Sequence, residues 1–84
     1  MRNSVIEPYE EVANAIIIQA VTDYRAALRG EGYRHRSPEK IIKECESFFR
    51  SYYFSLLTKV SGEFIIEQVR KEAKNERNTH STNS

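Results

Sequence analysis

The sequence predicts an all-α fold, a small bundle of three to four helices with a disordered C-terminal tail. Three observations predict it. Apolar residues recur with a helical period, and no alternating run suggests a strand. The three glycines and two prolines fall between those periodic stretches rather than inside them. The last ten residues, Asn75 to Ser84, contain no apolar side chain, so they bury nothing to offset their ordering entropy. The expected layout is a flexible N-terminus over 1–7, one helical domain over 8–74 and a disordered tail over 75–84.

The first helix is expected over about 8–29. Pro8 suits the first helical position, where its missing N–H would be unpaired in any case. Glu10 and Glu11 favour the positive end of the helix dipole. Tyr9, Val12, Ala13, Ile16, Ile17, Ala20, Val21, Tyr24, Ala27 and Leu28 occupy one half of the helical wheel. Asn14, Thr22, Arg25 and Arg29 occupy the other, and Gly30 supplies a stop.

Ser37-Pro38-Glu39 combines a capping hydroxyl, a proline at the first helical position and an acid beside it. It starts a helix over about 38–50, with Ile41, Ile42, Cys45, Phe48 and Phe49 on one face. The chain then either continues or breaks near Arg50-Ser51, giving a third segment over about 52–60 with Tyr52, Tyr53, Phe54, Leu56, Leu57 and Val60. Ser61-Gly62-Glu63 marks a turn and a new cap. A last helix over about 62–74 presents Ile65, Ile66, Val69 and Ala73 to one side.

Composition excludes several classes. Cys45 is the single cysteine, so neither an intrachain disulfide nor a cysteine-based zinc site follows. His35 and His80 have no second ligand one helical turn away. The longest apolar run, Ile16 to Ile18, is far short of the ~20 residues of a membrane span, and the first residues do not resemble a signal peptide. A cytoplasmic protein with no cofactor, metal or membrane partner is expected. Thirteen basic against twelve acidic residues give a net charge of +1, so any electrostatic role must come from local clustering.

Candidate chemistry is sparse. The segment Phe48-Phe49-Arg50-Ser51-Tyr52-Tyr53-Phe54 resembles a base-stacking platform in composition, but core filling is the favoured reading, with Tyr52 and Tyr53 hydroxyls at the rim. The stretch from Arg29 to Lys43 carries Arg29, Tyr33, Arg34, Arg36 and Lys40 and offers contacts to phosphates, although Glu31 and Glu39 dilute it. A serine nucleophile would need a histidine on a neighbouring helix, and none is placed there. Cys45 lies between Ile41 and Phe49 on an apolar face, as a buried inert thiol does. Two apolar residues stand apart. Ile18 falls on the polar face of the first helix, and Phe54 falls opposite Phe49 unless the chain breaks at Arg50-Ser51.

The stretch from Glu44 to Glu72 resembles a family of small helical proteins encoded by phages and integrative or conjugative elements of Gram-positive bacteria. The carrying features are Phe48-Phe49-Arg50-Ser51, Tyr53-Phe54, Leu56-Leu57-Thr58 and Gly62-Glu63 with Ile65-Ile66. Ala15 to Gly30 resembles the family's first helix, so the likeness covers about residues 12 to 73. The chain departs from the family pattern in having Tyr52-Tyr53 in place of an acid and a tryptophan, and Ser61 in place of an aspartate before Gly62. The resemblance implies an accessory gene of a mobile element and transfers no catalytic residue.

The expectation is therefore a non-enzymatic accessory protein that binds a host or mobile-element protein, an inhibitor of a host defence system such as CRISPR-Cas being one form of it. The candidate interaction surface is Ile18, Arg29, Tyr33, Arg34, Arg36, Lys40, Tyr53 and Phe54. A nucleic-acid-binding factor using the basic loop 29–43 is the second reading. A homo-oligomer completing its core through Ile18 or Phe54 is the third.

Overall fold

The computed structural model describes the backbone of residues 6–33 and 35–83, and the side-chain surroundings of residues 9–33 and 35–76. The described residues form an all-α bundle of four helices: α1 (Ile6–Leu28), α2 (Pro38–Phe49), α3 (Tyr52–Leu57) and α4 (Gly62–Asn83). No helix among the described residues is long and apolar enough to cross a membrane.

Local chemistry sets each boundary. Gly30, at φ +89°, ends α1. Its N–H bonds Ala27 O at 2.9 Å and the N–H of Glu31 bonds Ala26 O at 3.0 Å, the paired bonds of a Schellman motif. Ser37 Oγ accepts from the N–H of Lys40 at 3.3 Å and Pro38 opens α2. The chain does break after Phe49. Ser51 Oγ donates to Phe48 O at 2.7 Å and accepts from the N–H of Phe54 at 3.1 Å, so one hydroxyl closes α2 and caps α3. The break turns Phe54 inward to 2 % exposure, which removes it from the candidate surface. Ser61 Oγ accepts from the N–H of Phe64 and starts α4.

Several boundaries differ from the sequence expectation. Ile6 and Glu7 are helical rather than part of a flexible N-terminus, and residues 1–5 lie outside the described ones. The third helix ends at Leu57 instead of residue 60, because Thr58 adopts an extended φ of −158°. The fourth runs to Asn83, so the polar stretch expected as a disordered tail from residue 75 is helical in backbone. Its first part gains a partner, Glu76 Oε1 lying 3.8 Å from Arg29 Nη1.

The core joins three helices and the short α3. Tyr24 and Ala27 of α1 meet Ile41, Cys45 and Phe49 of α2, Phe54 of α3, and Ile66 and Val69 of α4. Aromatic edges meet faces within it: Phe49 packs on Phe54 at 5.6 Å and 90°, and on Tyr24 at 5.7 Å and 61°. Such pairs add about 0.5–1.5 kcal/mol each beyond area burial. Gly62 fits against the end of α2 because it has no Cβ, which would sit 1.8 Å from Phe49 O.

Helix register positions everything that follows. Arg25 of α1 pairs with Glu72 of α4 at 2.8 Å, and Arg29 pairs with Glu76. The two helices therefore run side by side in the same direction, with partners 47 residues apart. That offset sets Gly62 beside residue 15 and leaves α1 from Ile6 to Asn14 projecting about 13 Å past the start of α4, at ~1.5 Å per residue. The molecule is accordingly long, 55 × 28 × 21 Å.

Candidate interaction surface

A polar junction holds α1, α2 and α4 together above the core. Tyr24, fully buried, donates its hydroxyl proton to Glu46 Oε2 at 2.7 Å and accepts from Arg70 Nε at 3.0 Å. Arg70 Nη2 donates to the same carboxylate oxygen at 2.5 Å. Glu46 Oε1 lies 3.7 Å from Arg50 Nη1, and Arg50 Nε donates to Glu63 Oε2 at 2.5 Å, extending the cluster to the start of α4.

The titrations follow from this geometry. Burial, and the hydrogen bond to the Glu46 carboxylate, push the Tyr24 phenol up to about 12 against the opposing pull of Arg70. Burial alone would raise the Glu46 carboxyl. Hydrogen bonds from Tyr24 and Arg70, and the charges of Arg70 and Arg50, outweigh it and hold the group below its ordinary value. Each buried side-chain oxygen and nitrogen among the described residues has a partner. The cluster is thus internally satisfied and reads as a structural clasp, since a fully paired network rigidifies a core.

Cys45 sits beneath this junction at 8 % exposure. Burial and the negative charge of Asp23 push its thiol up to about 11, which suppresses the thiolate needed for nucleophilic chemistry. Among the described residues, no group of three or more His, Cys, Asp or Glu side chains is placed to hold a metal ion.

The candidate residues do not form one surface. Arg29, Tyr33, Arg36 and Lys40 lie where α1 ends and α2 begins, in a loop closed by paired backbone bonds between Tyr33 and Arg36. Arg34 lies outside the described residues. Carboxylates neutralise much of this loop: Arg36 pairs with Glu44, and Arg29 with Glu31 at 3.4 Å as well as with Glu76. Ile18, 63 % exposed, stands on α1 away from the loop. Tyr53 is exposed at the other end of the molecule, and Phe54 is core.

That other end carries the surface the sequence did not single out. Tyr9 and Val12, placed in the buried half of the first helix by periodicity, are each 56 % exposed. They lie in the part of α1 that precedes the level of Gly62, where of the neighbouring apolar residues Ala13 alone is buried. On α3, Tyr52 and Leu56 share the face opposite Phe54, whereas Tyr53 packs its ring against Phe48 at 6.1 Å and is about half exposed; Tyr52, expected as core filling with its hydroxyl at the rim, is 78 % exposed. Val60, in the turn, and Phe64, in the first turn of α4, are also about half exposed. Phe64 falls on the helical wheel opposite Ile66 and Val69. Between α3 and the start of α4 runs an open groove of about 750 Å³, lined mainly by polar residues, among them Arg50, Ser55, Thr58, Lys59 and Glu63.

The bundle therefore has an apolar end, built from the α1 projection, α3 and the first turn of α4, and a charged end holding the Arg25–Glu72 and Arg29–Glu76 pairs. The polar junction, too, escaped the sequence reading. Its signal was a tyrosine on a core face, whose hydroxyl needs a partner, with Glu46 adjacent to core Cys45.

No family model, no curated protein and no solved structure matches this chain.

Proposed function

We propose that this chain is a non-enzymatic accessory protein that acts through protein–protein contacts made at its apolar end. The observation that carries the reading is the concentration of exposed aromatic and aliphatic side chains there. Each of seven large apolar residues, Tyr9, Val12, Tyr52, Tyr53, Leu56, Val60 and Phe64, is about half exposed or more. Single exposed apolar side chains are ordinary, but their concentration at one end of a small domain is what a contact surface requires.

The setting is part of the same proposal and rests on the sequence resemblance alone. It places the chain in the cytoplasm of a bacterial host that carries a phage or mobile element. A host or element protein is then the partner class, and a defence system such as CRISPR-Cas is the target to test first. Nucleic acid is the less supported partner, because Glu31, Glu44 and Glu76 stand against the arginines of the basic loop, where a polyanion would meet carboxylates.

The experiment expresses wild type and a Tyr52→Glu/Leu56→Glu variant in cells whose CRISPR-Cas system restricts a phage. Restored plaquing with wild type, lost with the variant and kept with Arg36→Glu, supports the reading. Equal plaquing with both surface variants removes the apolar end from the function.

A further inference from the structure

We propose that the outward face shared by α2 and α4 at the charged end binds a nucleic-acid backbone through Lys40, Lys43, Lys71 and Lys74. This contact goes beyond the reading of the apolar end and does not depend on it.

The first observation is a division among the basic residues. Arg25, Arg29, Arg36, Arg50 and Arg70 each pair with a carboxylate of this chain, so their charge is neutralised within the fold. Lys40, Lys43, Lys59, Lys71 and Lys74 are exposed, and none of them pairs with another described residue. An unpaired ammonium is a mobile point charge with three donors, suited to phosphate oxygens.

The second observation is position. Arg50 meets Glu63, and Glu46 meets Arg70. Numbers fall along α2 as they rise along α4, so the two helices are antiparallel. Lys43 and Lys74 therefore both stand about 5–6 Å beyond the Glu46–Arg70 pair in the same direction, at ~1.5 Å per residue. At 3.6 residues per turn, Lys43 is rotated about 60° from Glu46 and Lys74 about 40° from Arg70. In each helix the rotation leads away from the core residues Cys45 and Val69. Lys40 and Lys71 are turned further the same way. The four lysines thus form a band across the seam between α2 and α4.

The third observation is where the acids lie. Glu44 and Glu46 are engaged by Arg36 and Arg70. The unpaired acids Glu10, Glu11 and Asp23 belong to α1. Glu39 and Glu67 share the face but flank the band, Glu39 in the first turn of α2 and Glu67 on the far side of the Glu46–Arg70 pair. Four unpaired lysines therefore stand against two unpaired carboxylates. At the basic loop, by contrast, Glu31, Glu44 and Glu76 stand directly on the arginines.

Fluorescence anisotropy of a short labelled DNA duplex, titrated with the full chain at several salt concentrations, tests the inference. With one phosphate per lysine, affinity should fall by roughly 150-fold between about 50 and 200 mM salt, from a counterion slope of about −0.9 per contact. Lys43→Ala/Lys74→Ala should leave a fall of only about tenfold over the same interval, with the helical circular dichroism unchanged. Lys59→Ala removes an equally unpaired lysine at the apolar end and should keep the wild-type slope. Tyr52→Ser/Leu56→Ser should bind the duplex as wild type does, which separates this contact from the one tested by plaquing.

No anisotropy change at the lowest salt overturns the inference, as does a salt dependence that Lys43→Ala/Lys74→Ala leaves unaltered or that Lys59→Ala reduces equally. Polyglutamate that competes as well as unlabelled duplex of equal charge overturns the nucleic-acid occupant and assigns the face to an acidic protein segment.

Discussion

Tyr24 of α1 gives its hydroxyl proton to Glu46 of α2 across 2.7 Å, while Arg70 of α4 donates to both of them. Three helices distant in sequence are therefore tied at one point, beside the Phe49 ring that packs on Tyr24 at 5.7 Å. Tyr24→Phe removes the hydroxyl and leaves the Arg70–Glu46 pair intact. The expected loss is about 1 kcal/mol, the net worth of one intramolecular hydrogen bond, read as a lower urea midpoint at unchanged slope. Arg70→Ala should cost more, because it takes a donor from both remaining partners.

Alkali should destabilise the fold through the same residue. The Tyr24 phenol has an ordinary value of 10.0 and is pushed up to about 12 by burial and by Glu46. The folded state thus holds this proton more tightly than the unfolded chain does. The associated stability is fully present below pH 10 and is lost as pH rises towards about 12. Urea midpoints measured across that interval should fall more steeply for wild type than for Tyr24→Phe. Parallel curves would show that the tyrosine does not titrate as its surroundings require.

Acid acts through Glu46 with the opposite sign. Its carboxyl is held below the ordinary value in the folded chain, so the folded state binds that proton less tightly than the unfolded one. The stabilisation is present above the unfolded value and is lost as pH falls through the folded one. Glu46→Gln should lower stability at neutral pH and flatten the decline on acidification. A decline as steep as that of wild type would assign acid sensitivity to other carboxylates.

Gly62→Ala separates helix propensity from packing. Propensity favours alanine in a helix by roughly 0.5–1 kcal/mol. The added Cβ would lie 1.8 Å from the Phe49 carbonyl oxygen, a backbone atom fixed at the end of α2. Overpacking of that kind costs ~1–3 kcal/mol or more, so the variant should be less stable than wild type by thermal denaturation. A stabilised variant would mean that α2 and α4 do not approach so closely at this point.

Much of the fold was legible in the sequence because its determinants are local. Ser37, Ser51 and Ser61 each cap a helix, as their positions before apolar runs suggest, and Gly30 ends one. The break at Arg50-Ser51 decided Phe54, since the new helix turns that ring into the core. The candidate surface was harder to read because exposure depends on relative helix length. Tyr9 and Val12 share the apolar half of α1 with Ala13, yet only the small Ala13 is buried there while the two larger side chains are each 56 % exposed. Tyr52 and Leu56 look like core residues by composition, and α3 is too short to be covered on both faces. The loop arginines looked free because Glu44 and Glu76 reach them from other elements.

The central claim is that the apolar end is covered when the protein acts. Hydroxyl-radical footprinting of the wild-type chain, purified and then inside the phage-restricting cells of the plaquing assay, tests it most directly. Oxidation at Tyr52, Tyr53 and Leu56 should fall several-fold inside those cells. Ile18 and Tyr33, 63 % and 61 % exposed elsewhere on the molecule, should keep their rates and serve as internal controls. Equal rates at all five residues in both samples would contradict the account.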